Sequence, residues 1–306
     1  MIVNHIRLPL LLILLAIVTR QVAGQTLTVI DSISHEPIAY ASVCWGDVTG
    51  GYTDEQGTII ISEGIIRVRL SHICYETKDI ALSTADDITC RLIPKSISLD
   101  EVAVSAKAPT RIKTTEVGLT KEKTHTGHRG TNGFEMALFI PYDSTWTHPP
   151  YIHSILASLD YSTHWLTFTT IKNPIHATLR FDLRQTEDQT GAPRDESVID
   201  GGVIVGPDQK VGKEGIRLAH PIPFPRTGVF VVVEWITTAA VAESQSLVPA
   251  LNMTLDETDN RTWNRKAFRS AGWMREADEP IYKDTATQGY YKGRTSSAKL
   301  GLRISK

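Results

Sequence analysis

The sequence has little of what usually marks catalysis or metal binding. Its 306 residues include three cysteines, Cys44, Cys74 and Cys90. No CxxC pair and no Cys/His ligand spacing occurs, so nothing supports a structural zinc site. HExxH and GxSxG are absent as well, which leaves no local zinc-protease or hydrolase signature. Charge of one sign is also lacking: 32 Lys and Arg face 34 Asp and Glu. Nucleic acid and anionic membranes usually select basic chains, so neither is favoured as a partner. Helical periodicity is poor, and only Thr237–Gln245 has room for a turn or two. After Val18 no apolar run is long enough to span a bilayer.

What is there begins with an export signal. Arg7 precedes the apolar run Leu8–Val18, and Val22-Ala23-Gly24 supplies small residues for cleavage. Eleven apolar residues fall short of the roughly 20 that a bilayer core requires, so a secretory signal peptide over 1–24 is expected rather than an anchor. An exported chain meets oxidising conditions, and three cysteines allow one disulfide with one thiol left over. The preferred reading is three small buried hydrophobes, because Cys90 alternates with Ile88 and Leu92 on a core-facing pattern.

Short strands and turns follow. Thr26–Ile30, Ile38–Trp45, Thr58–Ser62, Ile65–Ser71 and Ile88–Ile93 read as extended segments, spaced at roughly 8–12 residues as in a β-sandwich. Ile38–Trp45 alternates, with Ala41, Val43 and Trp45 on one face and Ser42 and Cys44 on the other. Asp54 is placed to bond its own backbone two residues on, and Gly57 to take a positive φ. Residues 107–129 are basic and poor in apolar residues, and are expected to be a linker. From 130 to 306 strands resume at Phe134–Ile140, Tyr151–Ser158, Trp165–Ile171, Ala177–Leu183, Gly202–Val205, Gly228–Ile236 and Leu300–Ser305. Leu179, Phe181 and Leu183 share one face; Thr178, Arg180 and Asp182 share the other. Val229–Val233 is nearly continuous apolar, as a strand covered on both faces requires. The fold class expected is all-β: a sandwich over 25–106 and an antiparallel jelly-roll-like sandwich over 130–306.

The first sandwich resembles the carboxypeptidase-regulatory-like domain, a small transthyretin-like fold. The residues that carry this are Val29-Ile30-Asp31, Glu36-Pro37-Ile38 with Ala41-Ser42-Val43, Gly51–Gly57 (GYTDEQG), Val68–Tyr75 (VRLSHICY) and Ser98–Val102 (SLDEV). Cys74 stands where that family usually has glycine. The domain is an add-on to metallocarboxypeptidases, to TonB-dependent outer-membrane receptors and to many exported bacterial proteins. The resemblance therefore implies a fold and an envelope setting in a Gram-negative bacterium, not an activity. The second part resembles, more weakly, two-domain bacterial exported proteins through Ala177–Leu183, Gly191-Ala192-Pro193 and Val229–Ile236.

Two aromatic sets are candidates for binding. Tyr142, Trp146, Tyr151, Tyr161 and Trp165 are interleaved with Asp143, His148, His153, Asp160 and His164, a mixture that suits a glycan or peptide. Packing in the core is the competing reading. The loop Asp143–Pro150 favours exposure of Trp146. The second set is Trp263, Arg265, Arg269 and Trp273, with Phe268 and Arg275 beside it. Tryptophan and arginine together suit a protein–protein contact, or cation–π packing within the domain.

Six histidines, His125, His128, His148, His153, His164 and His176, read as isolated side chains. His153-Ser154 with Asp160 is no triad without geometry. No catalytic residue, cofactor or metal is expected. The leading expectation is a non-catalytic protein of the periplasm or outer-membrane surface that binds a glycan, a peptide or an envelope protein. The alternatives are a hydrolase of glycan or peptide assembled only in the fold, and a structural accessory of an outer-membrane import complex, with an outer-membrane receptor as its partner.

Overall fold

A computed structural model describes residues 24–46, 49–83, 87–95, 113–162, 178–199, 201–206, 209–236, 248–256, 261–266, 268, 272–278 and 295–305. The expected signal peptide (except Gly24), the strand at Trp165–Ile171 and the short helix at Thr237–Gln245 lie outside these residues. Among the described residues every regular element is a strand, and the fold is all-β.

The first unit contains β1 (Gln25–Asp31), β2 (Ser42–Cys44), β3 (Gly50–Tyr52), β4 (Thr58–Ile61), β5 (Arg67–His72), β6 (Tyr75–Ala81) and β7 (Asp87–Leu92). One sheet has the order β4-β1-β7, with β1 and β7 parallel; the other has the order β3-β2-β5-β6. Leu27, Val29, Val43, Leu70 and Leu92 fill the space between them. The turn before β4 is built as its residues require: Asp54 Oδ1 accepts from Gln56 N–H at 3.0 Å, and Gly57 has a φ of 72°. The strand expected at Ile38–Trp45 is shorter than its alternation suggested. Tyr40 adopts a φ of 57°, a left-handed conformation that ends extended pairing there. Among the described residues Cys44, Cys74 and Cys90 form no disulfide; Cys44 is buried, Cys90 packs in the core, and Cys74 is only half-buried, unlike the three buried thiols expected.

The second unit contains β8 (Thr114–Gly118), β9 (Thr126–His128), β10 (Glu135–Ile140), β11 (Tyr151–Ala157), β12 (Leu159–Asp160), β13 (Thr178–Thr186), β14 (Pro193–Ser197) and β15 (Val203–Val205). It continues through β16 (Ile216–Pro223), β17 (Val229–Ile236), β18 (Ala250–Asp256), β19 (Thr262–Arg265), β20 (Met274–Arg275), β21 (Thr295–Ala298) and β22 (Leu300–Ser305). One layer has the order β14-β13-β17-β10-β19-β20. The other is β16-β11-β22-β8, continued by β12-β18-β21. β11/β12 and β22/β21 pair with each other and then part, and β18 inserts between them. Asn252 N–H donates to Ser158 O at 2.8 Å, and Lys299 N–H donates to Asn252 O at 3.0 Å, where the sheet forks.

Residues 113–129 are a correction to the expected linker. β8 pairs with β22, and β9 pairs with β18. An edge strand needs few apolar residues, since one side faces water. Val117 and Leu119 suffice to pack on the core, and threonine fits the pleated backbone. Charges of this stretch pair outward: Lys121 and Arg303 both reach Glu116, at 3.2 Å each. Arg303 first, then Lys121, hold the Glu116 carboxyl below its ordinary range.

β17 is buried along its whole length. Val229, Val231, Val233 and Trp235 face the space between the layers, with Met136, Leu138, Phe181 and Leu183. Phe230 and Val232 face the other way. The first unit sits on that outward face. Phe268, at a φ of 53°, packs on Tyr52 and Cys44, and its carbonyl accepts from Ser42 Oγ at 3.4 Å. Gly50 makes room: a Cβ there would lie 2.9 Å from the Phe268 ring.

Candidate functional site

The outward face of the large sheet carries the unusual chemistry. Side chains alternate along each strand, so neighbouring strands in register build rows across the sheet. One row reads Arg180, Glu234, Glu135, Arg265 across β13, β17, β10 and β19. Asp182 and Arg184 follow on β13. All six of these side chains are buried.

Each charge in the row has a partner. Arg184 donates to Asp182 at 2.7 Å and to Glu135 at 2.8 Å. Arg265 donates through Nε to the other Glu135 oxygen at 2.5 Å, and through Nη1 to Asp195 at 2.7 Å. Arg180 donates to Glu234 at 3.1 Å and to the Tyr40 carbonyl at 2.8 Å. Tyr52 O–H donates to the second Glu234 oxygen at 2.6 Å. Burial, and then the Glu234 carboxylate, push the Tyr52 hydroxyl far above its ordinary range, so it remains a donor. Burial opposes the charge on Arg184, but Glu135 and Asp182 outweigh it and hold the guanidinium above its ordinary value. Two of these contacts cross from the first unit to the second. Tyr40 and Phe268, two of the three non-glycine residues with positive φ among the described residues, stand at that seam. Strained backbone of this kind persists only where the surroundings impose it.

At the far end of the row the face opens into a cleft of about 760 Å³. Its walls are the 187–192 turn with β14 on one side, and Trp263, Arg265 and Trp273 on the other. The Arg265 guanidinium carbon lies 4.5 Å from the Trp273 ring centre, and that of Arg275 lies 6.0 Å from the Trp263 ring centre. Behind the wall, Arg184 Nη1 and Trp273 Nε1 are buried donors that meet no acceptor among the described residues. Carboxylates of Glu187, Asp188, Asp195 and Glu196 line the rim, opposed by Arg194 and Arg265. Arg194 pairs with Asp188 at 3.1 Å.

Of the second aromatic set, Trp263, Arg265 and Trp273 converge on this cleft, while Arg269 lies outside the described residues. The cation–π packing expected as the alternative is present, and the arginine–indole stacking also shapes the wall. The first set does not converge. Tyr142, Trp146 and Phe224 stack edge-on at 5.0 to 6.1 Å against the core, so Trp146 is half-buried although its loop is exposed. Tyr151 is exposed at the start of β11. Tyr161 accepts from Val211 N–H at 3.0 Å. Trp165 lies outside the described residues.

The histidines are dispersed. His128 packs against Phe134 and Trp235, and burial lowers its pKa to about 4. His153 sits at a bulge in β11, and burial lowers its pKa as well. His164 and His176 lie outside the described residues. Among the described residues no group of three or more His, Cys, Asp or Glu is placed to hold a metal ion.

Sequence reasoning missed Glu135, Arg184, Asp195 and Glu234. Arg180 and Asp182 were visible as one strand face, and only strand pairing assembles that face into a row. What the fold defines is an all-β protein of two packed units with a charged seam and a tryptophan-walled cleft. The chain matches no protein-family model, no curated protein and no solved structure.

Proposed function

We propose that the chain is a non-catalytic binding protein of the bacterial cell envelope, and that the Trp263–Arg265–Trp273 cleft holds its ligand, a glycan or peptide. The observation that carries this is the cleft itself. Two half-buried indoles stand beside polar and charged rim groups, which is the make-up of a site that holds and orients a ligand. The first unit acts as the docking or spacer module, braced on the second through Tyr40, Tyr52 and Phe268. The envelope setting rests on the apolar segment before Gly24 and on the likeness of the first unit to the carboxypeptidase-regulatory-like domain.

An array bearing oligosaccharides and peptides, probed with the purified chain, tests the proposal. Retention on a defined class of spots is expected, with the spotted ligands unchanged in mass afterwards. Trp273→Ala removes retention and Trp146→Phe leaves it. Cleavage of the retained ligand, or retention indifferent to Trp273, overturns the reading.

A further inference from the structure

Resting on that reading, we infer that the cleft takes an uncharged oligosaccharide, its pyranose rings laid on Trp263 and Trp273. Three observations narrow the ligand to this class.

The first is the state of the two indoles. Each already has arginine beside its ring: Arg265 at 4.5 Å and Arg184 at 5.8 Å from Trp273, and Arg275 at 6.0 Å from Trp263. A cation is drawn to an indole by the ring's electron-rich face. With arginine already at each ring, a further cation brought to it meets repulsion. The C–H face of a neutral sugar meets none, and still gains apolar contact with the ring.

The second is the charge at the rim. Asp188 pairs with Arg194 and Asp195 with Arg265, so both cleft arginines have carboxylate partners. Glu187 and Glu196 remain in excess, and Glu187 accepts from the Thr190 hydroxyl. This rim repels uronates, sulfated sugars and acidic peptides. Its attraction for a cation is weak, because Glu187 and Glu196 are exposed and screened by salt.

The third is the match of hydrogen-bonding groups. The rim offers carboxylate acceptors, and Arg194 offers donors. A sugar hydroxyl donates and accepts at once, and so serves both kinds of group without a charge of its own. At about 760 Å³ the cleft is within the range of small-ligand sites.

Calorimetric titration of the full chain tests this. The probes are cellohexaose, mannohexaose and xylohexaose as neutral ligands, oligogalacturonate as an anion, and hexalysine and chitosan hexamer as cations. Expected is that one neutral probe binds at least about tenfold more tightly than any charged one. Its affinity should change less than about twofold from about 50 to about 500 mM salt. Trp273→Ala should weaken it about tenfold or more, and Glu196→Ala, an exposed change that spares the fold, about fivefold. Tighter binding of a charged probe, lost with Trp273, overturns the ligand class and leaves the binding reading standing. No binding of any probe here, together with no retention on the array, overturns both.

Discussion

The middle of the large sheet is buried on both faces, and the two faces differ in chemistry. The inner face is a layer of Val229, Val231, Val233, Leu138, Phe181 and Leu183. The outer face carries Glu135, Arg180, Asp182, Arg184, Glu234 and Arg265, each nearly inaccessible. Apolar burial stabilises the inner face at roughly 25 cal/mol per Å² and depends on volume more than on identity. The outer face depends on each charge keeping its partner, because an unpaired buried ion costs far more than a pair returns. The Tyr52–Glu234 and Arg180–Tyr40 hydrogen bonds join the first unit to the sheet whose other end walls the cleft.

That contrast can be broken most forcefully at Glu135, which bridges Arg184 and Arg265. Glu135→Gln is expected to destabilise by about 3–5 kcal/mol in urea unfolding, because it leaves two buried guanidiniums short of a carboxylate. Replacing Glu135, Asp182, Arg184 and Arg265 together by Met, Asn, Leu and Met, so that no buried ion is left without its partner, should recover most of that loss. Failure of the fourfold replacement to recover stability would show that the outer face is not governed by pairing.

The inner side is tested by pH. His128 packs on Trp235, and its pKa in the folded state, about 4, lies below the ordinary 6.5. The unfolded chain therefore binds more protons between these values. The contribution is complete above pH 6.5 and is lost as pH falls to about 4, by about 3 kcal/mol. His128→Phe should flatten that part of the pH–stability curve, measured by thermal melts across the window. The smallest effect is expected from an ion pair in water. Arg69 and Asp79 pair at 2.9 Å, but both side chains are more than half exposed. Arg69→Ala should cost under about 1 kcal/mol, and less in high salt.

Much of the inner face was legible in the sequence, and little of the outer. The alternation of Leu179, Phe181 and Leu183 marked a core strand, and the unbroken Val229–Val233 run marked one covered on both sides; both descriptions hold. The same alternation puts Arg180 and Asp182 together on the opposite face and says nothing of what meets them there. The pattern of one strand does not reveal what will cover it, and here the cover is the first unit, more than a hundred residues away in sequence. Residues 113–129 misled for a related reason: pairing with β22 and β18 supplies order that composition does not show. The candidate site was half legible. Trp263, Arg265 and Trp273 are near in sequence and meet in space, whereas Tyr142 and Trp146 lean on Phe224, far along the chain.

A double-mutant cycle between Tyr52→Phe and Glu234→Gln, read by urea unfolding of the full chain, bears most directly on the buried seam. A coupling energy of about 1–2 kcal/mol is expected, since Tyr52 is held 2.6 Å from Glu234 away from water. Additivity within about 0.3 kcal/mol would contradict a shared interior between the two units.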